Sequence, residues 1–322
     1  MPFQSEFADI FLEYTFSAIS TLSDANISEG KTVVVDKLKM TDLPKVMRNM
    51  GWTVAPRLME RWFESDAFVL EKNLRDKYYI EPLDIPEAHY DDKIVTMDWA
   101  LSFKRVKNEY ENILKNKLTP AAIALLQKRI INAQLFDDGS RLGNIGMSAR
   151  ELNAHCQIQT QPLGSRADTI DDMYGSIGLG MLQLAVVGEV QRGISDDAFR
   201  VDHFGVYLKD VYEFNGFQFL GCWTKEKTFG KAEILNRAAA KAYRLANPVA
   251  DVAVKLLKTD QPVFHVHNHD FRNYLEKHGK GGDFIIYSDV KWSSGDGLTI
   301  PLGELLRYHP GNIPALFRGS MA

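Results

Sequence analysis

The chain has 322 residues, of which 45% are hydrophobic, 11% aromatic and 25% charged. That composition supports a sizeable core and excludes a disordered chain or a small disulfide scaffold. Lys and Arg number 38 against 42 Asp and Glu, a net charge of −4. This argues against a dedicated phosphate-backbone binder, and no nucleic-acid partner is expected, because counterion release needs clustered basic charge.

The β-branched run at 31–38 (KTVVVDKL) predicts a strand, and Thr41 or Asp42 caps a helix through 45–50 that Gly51 stops. Pro56 opens a second helix over 57–63, where Leu58, Met59, Trp62 and Phe63 form an apolar stripe that reads as core. Residues 70–92 are polar, hold Pro82 and Pro86, and read as a long loop or linker. Residues 94–103 (IVTMDWALSF) read as a strand. Two helices follow, over 106–118 and 119–136, the second opened by Thr119-Pro120 and carrying Ile123, Leu126, Ile130 and Ile131.

The turn-rich stretch 137–146 (DDGSRLGNIG) is the best internal boundary, dividing an α-rich region, 1–140, from an α+β region, 147–322. One continuous domain is the alternative. Short β-like runs then appear at 155–161, 181–190, 199–209 and 217–224. An alanine-rich helix at 231–246 ends at Asn247-Pro248, and 249–257 continues it after a kink. Strands at 263–267 and 284–288 flank a short helix at 270–278. The expected class is α+β, a helical N-terminal portion packed with a mostly antiparallel C-terminal sheet.

Cys156 and Cys222 are far apart in apolar stretches and read as small buried hydrophobes of a reducing compartment. The first ten residues lack the basic start and apolar core of a signal peptide. No apolar run approaches the ~20 residues of a membrane span. A product made in the cytoplasm without a signal peptide is expected, and action elsewhere would need another route of export.

Two segments offer chemistry. In FHVHNHD, His265, His267 and His269 alternate, so on a strand three imidazoles share a face and can hold a divalent metal such as zinc. The same alternation equally puts Phe264 and Val266 in the core and the histidines in solvent. In DHFGVYLKDVYEF, an extended chain places Asp202, Phe204, Val206, Leu208, Asp210, Tyr212 and Phe214 on one face, with His203, Tyr207, Lys209 and Glu213 on the other. Asp210 and Tyr212 then sit roughly 7 Å apart at the edge of the core face. A carboxylate there is partly desolvated and suited to acid–base work, or it simply bonds turn amides at a strand end. The glycines of YGSIGLG and GKGG match neither the dinucleotide nor the Walker spacing, and GKGG reads as a helix cap. No Gly-x-Ser-x-Gly elbow occurs.

Several segments together are specific. Asp42-Leu43-Pro44 with Met47 to Trp52 (MRNMGW), Leu58 to Phe63 (LMERWF), Met97 to Ala100 (MDWA), Asp172 to Gly175 (DMYG), Val206 to Phe214 (VYLKDVYEF), Leu220 to Trp223 (LGCW) and Gly281 to Phe284 (GGDF) resemble an uncharacterised bacterial domain-of-unknown-function family. Such a family is often encoded near type VI secretion genes. The resemblance implies a contact-delivered antibacterial effector, or a factor handled by that machinery. Asp210-Val211-Tyr212-Glu213-Phe214 is similar to the Asp-x-Tyr-Asp core of colicin M-type toxins, which cleave lipid II at its phosphate linkage. Here Glu213 replaces the second Asp, and the His-Arg pair that follows in those toxins is absent from 215–223.

The expected function is therefore a type VI-associated toxin, a hydrolase of an envelope or lipid-linked substrate. Asp210, Tyr212, Glu213 and His203 are its candidate catalytic residues, and His265, His267 and His269 its candidate ligands for a divalent metal. A secretion-system component or a cognate immunity protein is the expected partner. The alternative is a non-enzymatic adaptor, cargo or immunity-type protein of such a system.

Overall fold

The computed structural model describes residues 38–165, 168–193, 196–216, 218–230 and 263–303. The strand expected at 31–38 and the helix expected at 231–246, with its continuation at 249–257, lie outside the described residues, apart from Leu38. The described helices are α1 Leu43–Asn49, α2 Ala55–Glu64, α3 Lys72–Ile80, α4 Met97–Leu101, α5 Lys104–Lys115, α6 Pro120–Asn132, α7 Ala149–His155, α8 Asp172–Ser176 and α9 Asn268–His278. The strands are β1 Tyr90–Asp91, β2 Arg141–Leu142, β3 Gln157–Leu163, β4 Gly180–Gln191 and β5 Asp197–Tyr212. They continue with β6 Phe219–Trp223, β7 Phe264–His267, β8 Phe284–Tyr287, β9 Lys291–Ser294 and β10 Thr299–Gly303. The class is α+β, helical toward the N-terminus and strand-rich toward the C-terminus, as the sequence pattern indicates.

The chain sorts into two compact units that interleave along the sequence. The first takes described residues from 38–60, 169–172 and 214–279. Its hairpin pairs β6 with β7 antiparallel, and α9 follows β7 directly. Asp270 accepts the His267 amide at 2.8 Å to start that helix, and Gly279, at φ 63°, ends it in the left-handed conformation glycine tolerates. Phe214 stacks on Phe271 with centroids 3.6 Å apart, and the Arg272 Nε–H donates to the Phe214 carbonyl. Asp172 accepts from the Thr53, Val54 and Ala55 amides, at 2.7, 3.1 and 2.8 Å, and so satisfies donors that the start of α2 leaves open.

The second unit takes described residues from 61–168, 173–213 and 280–303 and contains an eight-stranded sheet built around β5. One edge of β5 runs antiparallel to β4 from Ala198 opposite Gln191 to Lys209 opposite Met181. Its other edge is covered in succession by β10, β9 and β8, each antiparallel. Between β9 and β8 the ladder is kept closed by Ser288, whose Oγ accepts the Leu208 amide while its own amide donates back. β3 and β2 complete the far edge of β4, and β1 joins β8 in parallel. Residues 204–209 are buried on both faces of β5. Gly188 is required where β4 and β5 shift register, since a Cβ there would lie 2.1 Å from the Arg200 carbonyl oxygen.

Asp283 ties residues 61–70 to 280–284. It accepts from Trp62 Nε1–H at 3.1 Å and the Leu70 amide at 3.0 Å, while Trp62 itself is fully buried. Gly281, at φ 106°, lies under the Trp62 ring, where a Cβ would approach within 2.4 Å. Four backbone bonds joining Trp62, Ser65 and Phe68 to Gly281, Gly282 and Asp283 complete the seam.

Two local expectations are corrected. Residues 70–92 are not a structureless linker: 72–80 form α3, which stops before Pro82, and Tyr90 and Asp91 form β1. Residues 94–103 hold the short helix α4, because Thr96 caps it and Asp289 accepts the Met97 amide. The turn-rich stretch 137–146 lies inside the second unit. Both cysteines are free and buried, as expected.

The seam gives a stability prediction. Asp283→Ala leaves two buried donors without an acceptor and is expected to cost about 3 kcal/mol in chemical denaturation. Asp283→Asn, which keeps one acceptor oxygen, is expected to cost clearly less. Equal losses in the two variants would show that the carboxylate bonds do not hold the seam.

Candidate functional site

The C-terminal end of β5 brings the candidate residues under α3. Arg75 of α3 pairs with Glu213 at 2.6 Å, and one turn on, the Tyr79 ring lies 4.2 Å from the Lys209 Nζ. Asp210 and Tyr212 share one face of the strand, as expected from the sequence. Asp210 stands between Gly180 on β4 and Ile286 on β8, and a Cβ at Gly180 would lie 3.7 Å from its carboxyl carbon. Tyr212 is buried and stacks on Phe284 at 5.2 Å.

Burial pushes the Asp210 carboxyl well above the ordinary carboxylate range. The Val211 amide opposes that rise and the Glu213 carboxylate adds to it. Burial likewise raises the Tyr212 phenol. The arrangement is a carboxyl shifted toward its protonated form on the same strand face as a buried phenol, with an Arg75–Glu213 ion pair at its edge.

The opposite face departs from the expected picture. Lys209, placed by the sequence pattern on the face away from the core, is only 3% exposed. It shares a row across the sheet with Met181 and Tyr287, and Gln183 and Tyr207 form the next row. No ion pair reaches Lys209 among the described residues. The Tyr79 and Tyr287 rings face its ammonium at 4.2 and 5.5 Å. Such contacts contribute about 0.5–2 kcal/mol, against a desolvation cost of several kcal/mol for an unpaired ion. Burial therefore wins and pulls the ammonium down to about 8.

His203 is not brought to Asp210. It lies seven residues back along β5, roughly 23 Å at strand rise, opposite Ser294 and edge-on to Trp292. Asp202 is committed to Arg200, at 2.9 Å, and to Arg141. In the first unit, the convergent donors are His267, His269 and Asp270, all within 4.8 Å of one another; His265 is outside that group. Asp270 Oδ1 is 3.3 Å from His269 Nε2, and Oδ2 is 3.8 Å from His267 Nδ1. Two imidazoles and a carboxylate at these separations fit adjacent ligands of a divalent cation. The same carboxylate also caps α9, a role that needs no ion. Burial raises the Cys156 thiol to about 12, which leaves it inert as a nucleophile.

The sequence pattern does not single out Arg75, Tyr79 or Tyr287, because each reaches the site from a segment remote from β5. The signal for Lys209 is the unbroken run Phe204 to Leu208, which suits a strand covered on both faces better than one with a wet side.

The chain belongs to a family of unknown function, DUF6402, whose model matches residues 38–297. No curated protein and no solved structure matches it.

Lys209 yields a pH-dependent prediction. Its folded value, about 8, lies below the ordinary 10.5, so the native state carries a penalty that is full below pH 8 and lifts as pH rises toward 10.5. Lys209→Met is expected to be more stable than the parent by about 3 kcal/mol at pH 7 in urea denaturation, with the gap closing near pH 10.5. A destabilised variant, or a gap that does not change with pH, would contradict the burial of an unpaired ammonium.

Proposed function

We propose that this member of DUF6402 is an antibacterial effector of a type VI-like secretion system, made in the cytoplasm and delivered by contact, which hydrolyses a lipid-linked or other cell-envelope substrate. The observation that carries the chemistry is the Asp210 carboxyl, half-buried at the end of β5 between β4 and β8 and raised there by desolvation. Such an acid donates a proton to a leaving oxygen at neutral pH. Gly180 leaves no side chain between Asp210 and β4. In this reading Tyr212 orients the substrate, and Glu213, fixed by Arg75, keeps negative charge beside the acid. His203 takes no part.

Delivery and target rest on resemblance: the paired segments of the type VI-linked family, and the Asp-x-Tyr-Glu stretch shared in part with colicin M-type toxins. The partners on this reading are a component of the secretion apparatus and a cognate immunity protein.

The test is growth of a susceptible bacterial host expressing the chain with and without an added periplasmic leader. Arrest only with the leader is expected, and Asp210→Asn is expected to slow hydrolysis about 100-fold or more and restore growth. That variant should remain folded, because it removes a carboxyl that burial disfavours in its charged form. If neither version harms the cell while both accumulate folded, the effector reading fails. Co-purification with a secretion component would then identify an adaptor or immunity-type protein.

A further inference from the structure

On the face of the sheet opposite Asp210, Gln183, Tyr207, Lys209 and Tyr287 are all buried in adjoining rows. The hydroxyls of Tyr207 and Tyr287 are buried without a hydrogen-bond partner among the described residues. Buried hydroxyls in that state call for an acceptor, since native structures rarely leave such groups unmade. An ordered water would serve one hydroxyl but would leave the Lys209 charge uncompensated.

The other charges felt at this cluster are also cationic: Arg129 bears on Tyr207, and Arg150 on Tyr287. The carboxylates that weigh on Tyr79 are Asp210, Glu213 and Asp76. Asp210 belongs to the other face, and Glu213 is held by Arg75, which itself acts on Tyr79. The rim is apolar and open: Tyr79 is 47% exposed and Met181, directly across from Lys209, is 38% exposed. Leu179 and Ile80, their neighbours in the chain, are exposed as well.

We propose that this face binds an oxyanion, a carboxylate or phosphate group, with Lys209 as its counter-charge and the Tyr207 and Tyr287 hydroxyls as its donors, on a ligand whose apolar part rests against Tyr79 and Met181. Two hydroxyls without a partner among the described residues, beside a cation with no ion pair, suit an anion with two or more oxygens, and the exposed rim suits a short hydrocarbon chain beside it. The lowered Lys209 value agrees, because an ammonium awaiting its counter-ion is disfavoured until the anion arrives. The proposal does not depend on the effector reading.

Titration calorimetry of the full chain with octanoate, octanol and inorganic phosphate tests it. Saturable one-to-one binding of octanoate is expected, weakening as pH rises past 8 where the ammonium is lost. Phosphate binding as tightly would point to a free inorganic ion, and octanoate binding much more tightly to an amphiphile; both retain the oxyanion. Lys209→Met is expected to lose about tenfold or more in affinity while remaining folded, and Tyr287→Phe to lose less. Octanol binding as well as octanoate, unchanged affinity in Lys209→Met, or no saturable binding of octanoate or phosphate would overturn it.

Discussion

A strand buried on both faces must satisfy two demands at once, and β5 is such a strand. Its backbone cannot turn to water, so both edges must be paired along its length. β4 does this alone on one side, while β10, β9 and β8 divide the other. The gap between two of those short strands is bridged by Ser288, whose hydroxyl takes the place of a carbonyl in the ladder. The second demand concerns side chains. An ionisable group at the end of the doubly covered stretch, as Lys209 is, is stripped of water.

Lys209 and Asp210 show the result. As neighbours on a strand they point to opposite faces and cannot neutralise each other, although one is a base and the other an acid. Burial moves both toward their uncharged forms, the carboxyl upward and the ammonium downward. Glu213, just beyond the strand, has what they lack among the described residues: Arg75 reaches it from α3 as an ion-pair partner. Three residues of chain and one arginine thus separate a carboxylate with an ion-pair partner from one raised by burial.

What the sequence revealed and what it hid follow from the range of the interactions involved. The strands at 181–190 and 199–209 are legible because long apolar runs need no partner to be recognised. Helix α6 is legible from Thr119-Pro120, since a cap and a first-turn proline are local signals. Helix α3 is not, because its anchors are distant in sequence: Arg75 on Glu213, Tyr78 on His89, Tyr79 on Lys209. The polar strand β9 (KWSS) is a strand only because β5 offers it an edge. Asp210 and Tyr212 were legible as a same-face pair, whereas the burial of Lys209 depends on α3 and was not.

Segments that carry the family resemblance also serve architecture more than chemistry. Asp172 of DMYG gathers the amides of 53–55, and Asp283 of GGDF accepts from Trp62 of LMERWF. Gly281 is small because a tryptophan ring lies over it. These residues bond to one another with their polar atoms turned inward, and removing them would unmake the fold before it touched a reaction. The stretch from Lys209 to Glu213 has a different character. Burial shifts both its acid and its base toward their uncharged forms, at a cost in stability that packing alone would not require. A fold that commits carboxylates such as Asp172 and Asp283 to seams, and sets a raised acid beside a lowered base at one strand end, has placed its capacity for chemistry or binding there.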